Sequence, residues 1–94
     1  MDKLELINAL IPLVTPLNSR GAHVASLDEP LSETGLDSLD FLMLSIYLSD
    51  IYGVSEEALK SMQPSTAQDM FDFMEQHKTK ELPATIEEAM ASVQ

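Results

Sequence analysis

Apolar residues recur every three or four positions along most of this chain, which is the period of an α-helix and not the alternation of a β-strand. The first such segment follows Asp2, whose carboxylate can cap a helix, with Glu5 three residues later as in a capping box. Pro12 lacks a backbone N–H and crowds the carbonyl four residues earlier, so we expect a kink or an early end there. Pro16 disfavours continuation of this helix past Val14. Its apolar stripe is Leu4, Ile7, Leu10 or Ile11, and Val14.

A second helix is predicted from Asp37 or Ser38 to Gly53. Asp37 can cap its start, Asp40 lies in its positive first turn, and glycine favours the conformation that ends a helix. This segment, SLDFLMLSIYLSDIYG, is apolar on almost every side. The residues expected to face the core are Leu44, Leu48 and Tyr52.

Two shorter helices are predicted further along. Ser55 can cap a short third helix within VSEEALKSM. After Pro64, either Ser65 or Thr66 can cap a fourth. The apolar face of the fourth helix is formed by Ala67, Met70, Phe71 and Met74.

The connection between the first two helices, residues 15–37, is long and rich in turn residues. A loop of this length inside a small domain is usually pinned or functional. The side chains expected to pin it to the core are Val24, Leu27, Leu31 and Leu36.

The C-terminal segment, residues 81–94, follows a break around Pro83. Its apolar residues keep helical spacing, so it forms either a fifth short helix or a frayed tail. We therefore predict an all-α fold, a four-helix bundle with a long first loop, a short third helix and a possible C-terminal helix. The expected domain is 1–80, with 81–94 as an extension. The apolar positions of the extension are Ile86, Met90 and Val93.

The charge is strongly negative: 16 acids and 5 bases give −11 over 94 residues. This excess repels nucleic acid and anionic membranes, so neither is an expected partner. It suits a protein that meets basic surfaces on its partners. Between Arg20 and Lys60 there is no base, whereas eight acids occur there: Asp28, Glu29, Glu33, Asp37, Asp40, Asp50, Glu56 and Glu57.

Several chemistries are absent from the sequence. There is no cysteine, which excludes disulfides, a thiolate nucleophile and a thiolate metal site. No calcium-binding loop, glycine-rich phosphate loop or G-x-S-x-G motif occurs, and no metal ligand set is predicted. The two histidines, His23 and His77, are most simply surface residues. With no apolar run of membrane-spanning length and no signal segment, we expect a cytoplasmic monomer without catalysis of its own.

Ser38 is the residue whose role is most open. Serine is a preferred residue at helix starts, so capping alone would explain it. Asp37, however, already offers a capping side chain, which leaves the hydroxyl of Ser38 free to point outward. A phosphate attached there would be favoured by the positive end of the helix.

The segment GLDSLDFLMLSIYLSDIYG, residues 35–53, resembles the centre of an acyl carrier protein, in which a G-x-D-S-L motif opens the second helix of a four-helix bundle. The resemblance covers about residues 1–78, because the long first loop and the short third helix fall in the order of that family. GLDSL alone is moderately specific. Together with chain length, acidity and helix order it becomes a strong signal.

The resemblance implies a covalent modification. A phosphopantetheinyl transferase would use coenzyme A and Mg²⁺ to attach phosphopantetheine to Ser38, and the thiol of this arm would carry an acyl group as a thioester. Asp37 would lie next to the metal of the transferase. Leu39 and Asp40 would contact the transferase and the partner enzymes, which load and transfer the acyl group.

The second helix departs from the family pattern. Members that serve fatty acid synthesis typically present several glutamates there, whereas this helix has only Asp40 and Asp50 after the serine. Met43 occupies a position that is often glutamate, and we expect it to be an exposed partner contact. The other apolar residues either pack under the long connection or dock a partner; they are Phe41, Leu42 and Ile46.

The preferred hypothesis is therefore an acyl carrier protein of a dedicated lipid or secondary-metabolite pathway. One alternative within the carrier class is a stand-alone peptidyl carrier that an adenylating enzyme loads with an amino acid. An alternative from another class is a small acidic helical interaction module in which Ser38 is only a helix cap.

Overall fold

The structure, a computed structural model, describes residues 2–15, 21–62 and 64–93. Within these ranges it contains five α-helices and no β-strand, so the fold is all-α as the sequence predicts. Helix α2 lies at the centre and contacts each of the other four helices. The helices are α1 (Lys3–Val14), α2 (Ser38–Tyr52), α3 (Glu56–Leu59), α4 (Ala67–His77) and α5 (Ile86–Val93).

The helix ends are formed by the residues that the sequence indicates. The carboxylate of Asp2 accepts a hydrogen bond from the N–H of Leu4 at 2.9 Å. The hydroxyl of Thr66 accepts from the N–H of Asp69 at 3.1 Å, so Thr66, rather than Ser65, caps α4. Gly53 ends α2 with a φ of 74°, a left-handed conformation that costs glycine little.

Helix α1 corrects one expectation. The early end predicted at Pro12 is wrong, because α1 continues through Pro12 to Val14. The N–H of Thr15 still donates to the carbonyl of Ile11, at 2.9 Å. Pro12 lies in the last turn with its ring exposed, and Val14 beyond it packs against the core, which offsets the one backbone hydrogen bond that proline removes.

The long connection is pinned to the core as predicted, although residues 16–20 lie outside the described residues. The side chains of Val24, Leu31 and Leu36 are buried, and Leu27 packs partly against the core. Backbone hydrogen bonds tie the same connection to the start of α4. They join Gln68 N–H to the Leu27 carbonyl at 2.8 Å and Leu31 N–H to the Ser65 carbonyl at 2.9 Å.

Asn8 of α1 fastens the connection from the other side. Its side-chain amide donates to the carbonyl of Val24 at 2.8 Å, and its side-chain oxygen accepts from the N–H of Val24 at 2.9 Å. Both backbone groups of Val24 are thus satisfied by one side chain, which holds the connection against α1.

The C-terminal segment is helical in the structure. Helix α5 packs on α1 and α2, with Ala89 fully buried and Ile86, Met90 and Val93 half-buried against the core. The link from α4 is held at the end of α2, where the N–H of Thr79 donates to the carbonyl of Tyr52 at 3.1 Å. The division at residue 80 stays a prediction.

The core-facing side of α2 is also as predicted. Leu44, Leu48 and Tyr52 are fully buried, and Ile51 is fully buried as well. None of the helices in the described ranges combines the length and the apolar character needed to cross a lipid bilayer.

Candidate functional site

The start of α2 is fixed by two carboxylates that cap each other's backbone. Asp37 Oδ1 accepts from the N–H of Asp40 at 2.9 Å, and Asp40 Oδ2 accepts from the N–H of Asp37 at 3.1 Å. This reciprocal capping box satisfies two backbone donors and leaves the first turn of the helix well defined. Asp37 is exposed, whereas Asp40 has only 7% of its surface exposed.

Ser38 is the first residue of α2 and is exposed to solvent. Capping is performed by Asp37, so the Ser38 hydroxyl is not needed for it. None of the described residues forms a hydrogen bond with this hydroxyl. The hydroxyl therefore stands at the positive end of a 15-residue helix, where a negatively charged group would be favoured.

An apolar stripe follows Ser38 along the outer side of α2. It consists of Leu39, Leu42 and Ile46, which are 65%, 54% and 38% exposed. We call these three residues the α2 stripe. Because their spacing is three and four, they lie next to each other on one face of the helix.

The neighbouring apolar residues divide between core and surface. Phe41 packs partly against the core, as the packing alternative expects. Met43 is half-buried and does not belong to the core or to the residues packed against it. Its predicted role as a partner contact, like those of Leu39 and Asp40, stays a prediction.

A groove between α2 and α3 begins at Ser38. The end beside Ser38 is a cavity of about 200 Å³, and the far end is a cavity of about 390 Å³. The two cavities share Leu42 and Leu59, so we treat them as one surface, the α2–α3 groove. Ser38, Phe41, Ser45 and Met62 line the near end. Ile46, Ser49 and Val54 line the far end, together with Asp50, Glu56 and Lys60.

The sequence reasoning singled out Ser38, Leu42 and Ile46, but it did not predict a groove beside them or a role for Ser45 and Ser49. Leu59 and Met62 belong to or follow the short third helix, whose position against α2 depends on tertiary packing. A signal for the serines was nevertheless present. Ser38, Ser45 and Ser49 are separated by seven and four residues, which places all three on one side of α2.

The comparisons with known proteins name no relative. No protein-family model matches the chain, and neither a curated protein nor a solved structure is significantly similar to it. What the molecule does therefore has to be inferred from the site itself.

Proposed function

We propose that this protein is an acyl carrier protein that holds acyl intermediates on a phosphopantetheine arm attached to Ser38. The observation that carries the proposal is the position of the Ser38 hydroxyl. It is exposed, is not needed for capping and lies at the near end of the α2–α3 groove, which is lined mainly by apolar side chains. A capping serine needs no groove beside it, whereas a carried chain benefits from one.

The residues around Ser38 fit such an attachment. In the modification, Ser38 Oγ forms a bond to the pantetheine-side phosphorus of coenzyme A, the pyrophosphate bond breaks, and adenosine bisphosphate leaves while the hydroxyl gives up its proton. The phosphodiester formed is negatively charged, and the N-terminus of α2 favours that charge. When attached, the arm supplies the thiol that this cysteine-free chain lacks.

The partners proposed for the protein follow from the same surface. A phosphopantetheinyl transferase must reach Ser38, and Asp37 beside it is the exposed carboxylate that would lie near the transferase's Mg²⁺. Enzymes that load and transfer the acyl group would then meet the α2 stripe. Because that stripe is apolar, we favour a dedicated lipid or secondary-metabolite pathway over general fatty acid synthesis. Loading by an adenylating enzyme with an amino acid remains the alternative within the carrier class.

The test is the intact mass of the protein after incubation with coenzyme A, Mg²⁺ and a promiscuous transferase. The wild-type protein should gain the mass of one phosphopantetheine, and Ser38→Ala should gain none. The alanine variant should keep its melting temperature to within a few degrees, because Asp37 supplies the cap.

Serines elsewhere on the chain serve as controls. Ser45→Ala and Ser65→Ala should be modified like the wild type. Modification that persists in Ser38→Ala would overturn the site. A wild-type protein that no transferase modifies would favour the interaction module, in which Ser38 begins α2 and the α2 stripe docks a protein directly.

A further inference from the structure

We infer that the α2–α3 groove selects a carried chain that bears a hydrogen-bond donor, a hydroxyl or an amide N–H, over a chain with a ketone at the same carbon. This inference rests on the proposed function, since the chain is the cargo attached through Ser38. The residues that carry it are Ser45 and Ser49, which lie on the α2 side of the groove.

The two serine hydroxyls can offer the groove only an acceptor. Ser45 Oγ donates its hydrogen to the carbonyl of Phe41 at 2.8 Å, and Ser49 Oγ donates to the carbonyl of Ile46 at 2.6 Å. A hydroxyl has one hydrogen and two lone pairs, so each oxygen keeps acceptor capacity after this bond. A ligand donor can satisfy that capacity, whereas a ketone oxygen cannot.

The charged residues of the groove reinforce this preference. Asp50 and Glu56 line the far end, and a carboxylate offers acceptors only. Lys60 supplies a donor, yet two carboxylates and one ammonium leave this end of the groove net negative. Cargo that ends in a carboxylate is disfavoured for the same reason.

Helix stability does not account for serine at these two positions. Alanine has the higher helix propensity, and serine hydroxyls that bond back to their own helix weaken it slightly. Both serines are almost fully buried, where a hydroxyl costs more than a methyl group unless its bonding capacity is used. Alanine would fill the same space beside Leu42 and Leu59.

Ser45 and Ser49 also lie within reach of a chain attached to Ser38. Ser45 and Ser49 lie seven and eleven residues beyond Ser38, about 10 Å and 16 Å along the helix at 1.5 Å per residue. A flexible arm that leaves Ser38 and folds back over the groove would lay its cargo past both hydroxyls.

The experiment loads Ser38 with three chains of equal length. They differ at one mid-chain carbon, which carries a methylene, a ketone or a hydroxyl, and each is transferred from its coenzyme A thioester. Intact mass confirms loading. The ratio of groove-bound to free chain is then measured from NMR shifts of the Leu42, Ser49 and Leu59 amides. We expect the hydroxyl chain to exceed the ketone chain about fivefold in this ratio, as one net hydrogen bond would give.

Variants assign the difference to the two serines. In the double variant Ser45→Ala with Ser49→Ala, the hydroxyl chain and the ketone chain should have about the same ratio of groove-bound to free chain. The ratio of the methylene chain should not change. The unloaded variant should melt no lower than the wild type. The matched control is Ser61→Ala, because Ser61 also donates to a carbonyl of its own chain, that of Ala58 at 2.8 Å, but is exposed and outside the groove lining. It should behave like the wild type.

The outcomes separate this inference from the proposed function. If Ser38 cannot be loaded, the proposed function fails and the inference falls with it. If loading succeeds but the ketone chain equals or exceeds the hydroxyl chain, the selectivity is wrong and the carrier role stands. If the unacylated arm alone shifts the same amides and depends on both serines, the arm and not the cargo uses the hydroxyls, which also overturns the inference.

Discussion

The hydroxyl of Tyr52 is buried in the core without a hydrogen-bond partner among the described residues. The side chain of Tyr52 is fully buried, and its ring lies 6.4 Å from that of Phe71. A buried polar group without a partner costs about 1 to 3 kcal/mol. The ring therefore stabilises the core while the hydroxyl reduces that gain.

Replacing Tyr52 with phenylalanine should stabilise the protein. Tyr52→Phe keeps the ring and removes only the hydroxyl, so we expect the free energy of unfolding to rise by about 1 kcal/mol in urea denaturation at neutral pH. Tyr47→Phe is the matched control, because Tyr47 is only half-buried and should change little. A loss of stability in Tyr52→Phe would show that the hydroxyl has a partner after all.

Tyr52→Phe should also change how the free energy of unfolding depends on pH in the alkaline range. Burial, with a further contribution from the charge of Glu75, raises the pKa of Tyr52 from 10.0 to about 12. Below pH 10 both the folded and the unfolded protein keep this proton. Between pH 10 and 12 only the unfolded state releases it, so stability falls with rising pH by about 2 to 3 kcal/mol. Tyr52→Phe should show a shallower fall over this window.

At the scale of elements, the attachment of the long connection depends on Asn8. Asn8→Ala removes both hydrogen bonds to Val24. The partly buried N–H and carbonyl of Val24 then have lost these partners. We expect a loss of about 2 kcal/mol in the free energy of unfolding. Ser26→Ala removes an exposed hydrogen bond to Asp28 in the same connection and should cost little. Equal effects of the two variants would contradict the special role of Asn8.

Most of the helices could be predicted because their signals are local. Caps such as Asp37 and Thr66, and the spacing of apolar residues, act within one turn of the chain. The early end at Pro12 was wrong because the cost of the proline is offset by packing beyond it, which is not a local property. The burial of Ala89 depends on where α5 meets α1 and α2, and a single alanine carries no such signal.

The candidate site was predictable only in part for the same reason. The exposure of Ser38 follows from the capping role of Asp37, which the sequence indicates. The groove requires α3 to stand beside α2, and its wall residue Leu59 belongs to a helix of four residues. Asn8 lies four residues after Leu4 and three before Ile11, so a polar residue on the apolar face was a signal that could have revealed its bonds to the long connection.

Helix α2 also carries a prediction about partners, which rests on the proposed function. Leu39 is largely exposed next to Ser38, so Leu39→Ala should lower kcat/KM for phosphopantetheine transfer about fivefold or more, as loss of an interface contact would. Its melting temperature should stay close to that of the wild type. Glu81→Ala, an exposed change in the link between α4 and α5, is the control. An unchanged kcat/KM for Leu39→Ala would remove Leu39 from the transferase interface.

The whole molecule is dominated by its negative charge. Sixteen acids against five bases leave −11, and the chain from 21 to 59 contains no base. Two of the ion pairs among the described residues share one acid, since Lys3 and Lys78 both pair with Glu75, at 3.8 Å and 3.1 Å. Like charges held within one small fold repel each other more than in the unfolded chain.

Salt should therefore stabilise the protein. When the ionic strength rises from about 0.01 M to about 0.15 M, the Debye length falls from about 30 Å to about 8 Å, and repulsion across the molecule is screened. We expect the melting temperature to increase by about 5 °C, which corresponds to about 1 kcal/mol for a domain of this size. Neutralising two exposed acids whose side chains form no hydrogen bond within the described residues, in Glu33→Gln with Glu81→Gln, should raise the melting temperature at low salt and flatten its salt dependence. If the melting temperature of the wild type does not change with salt, the repulsion between the acids must already be offset, for instance by bound cations. In that case, removing divalent cations with a chelator should lower the melting temperature.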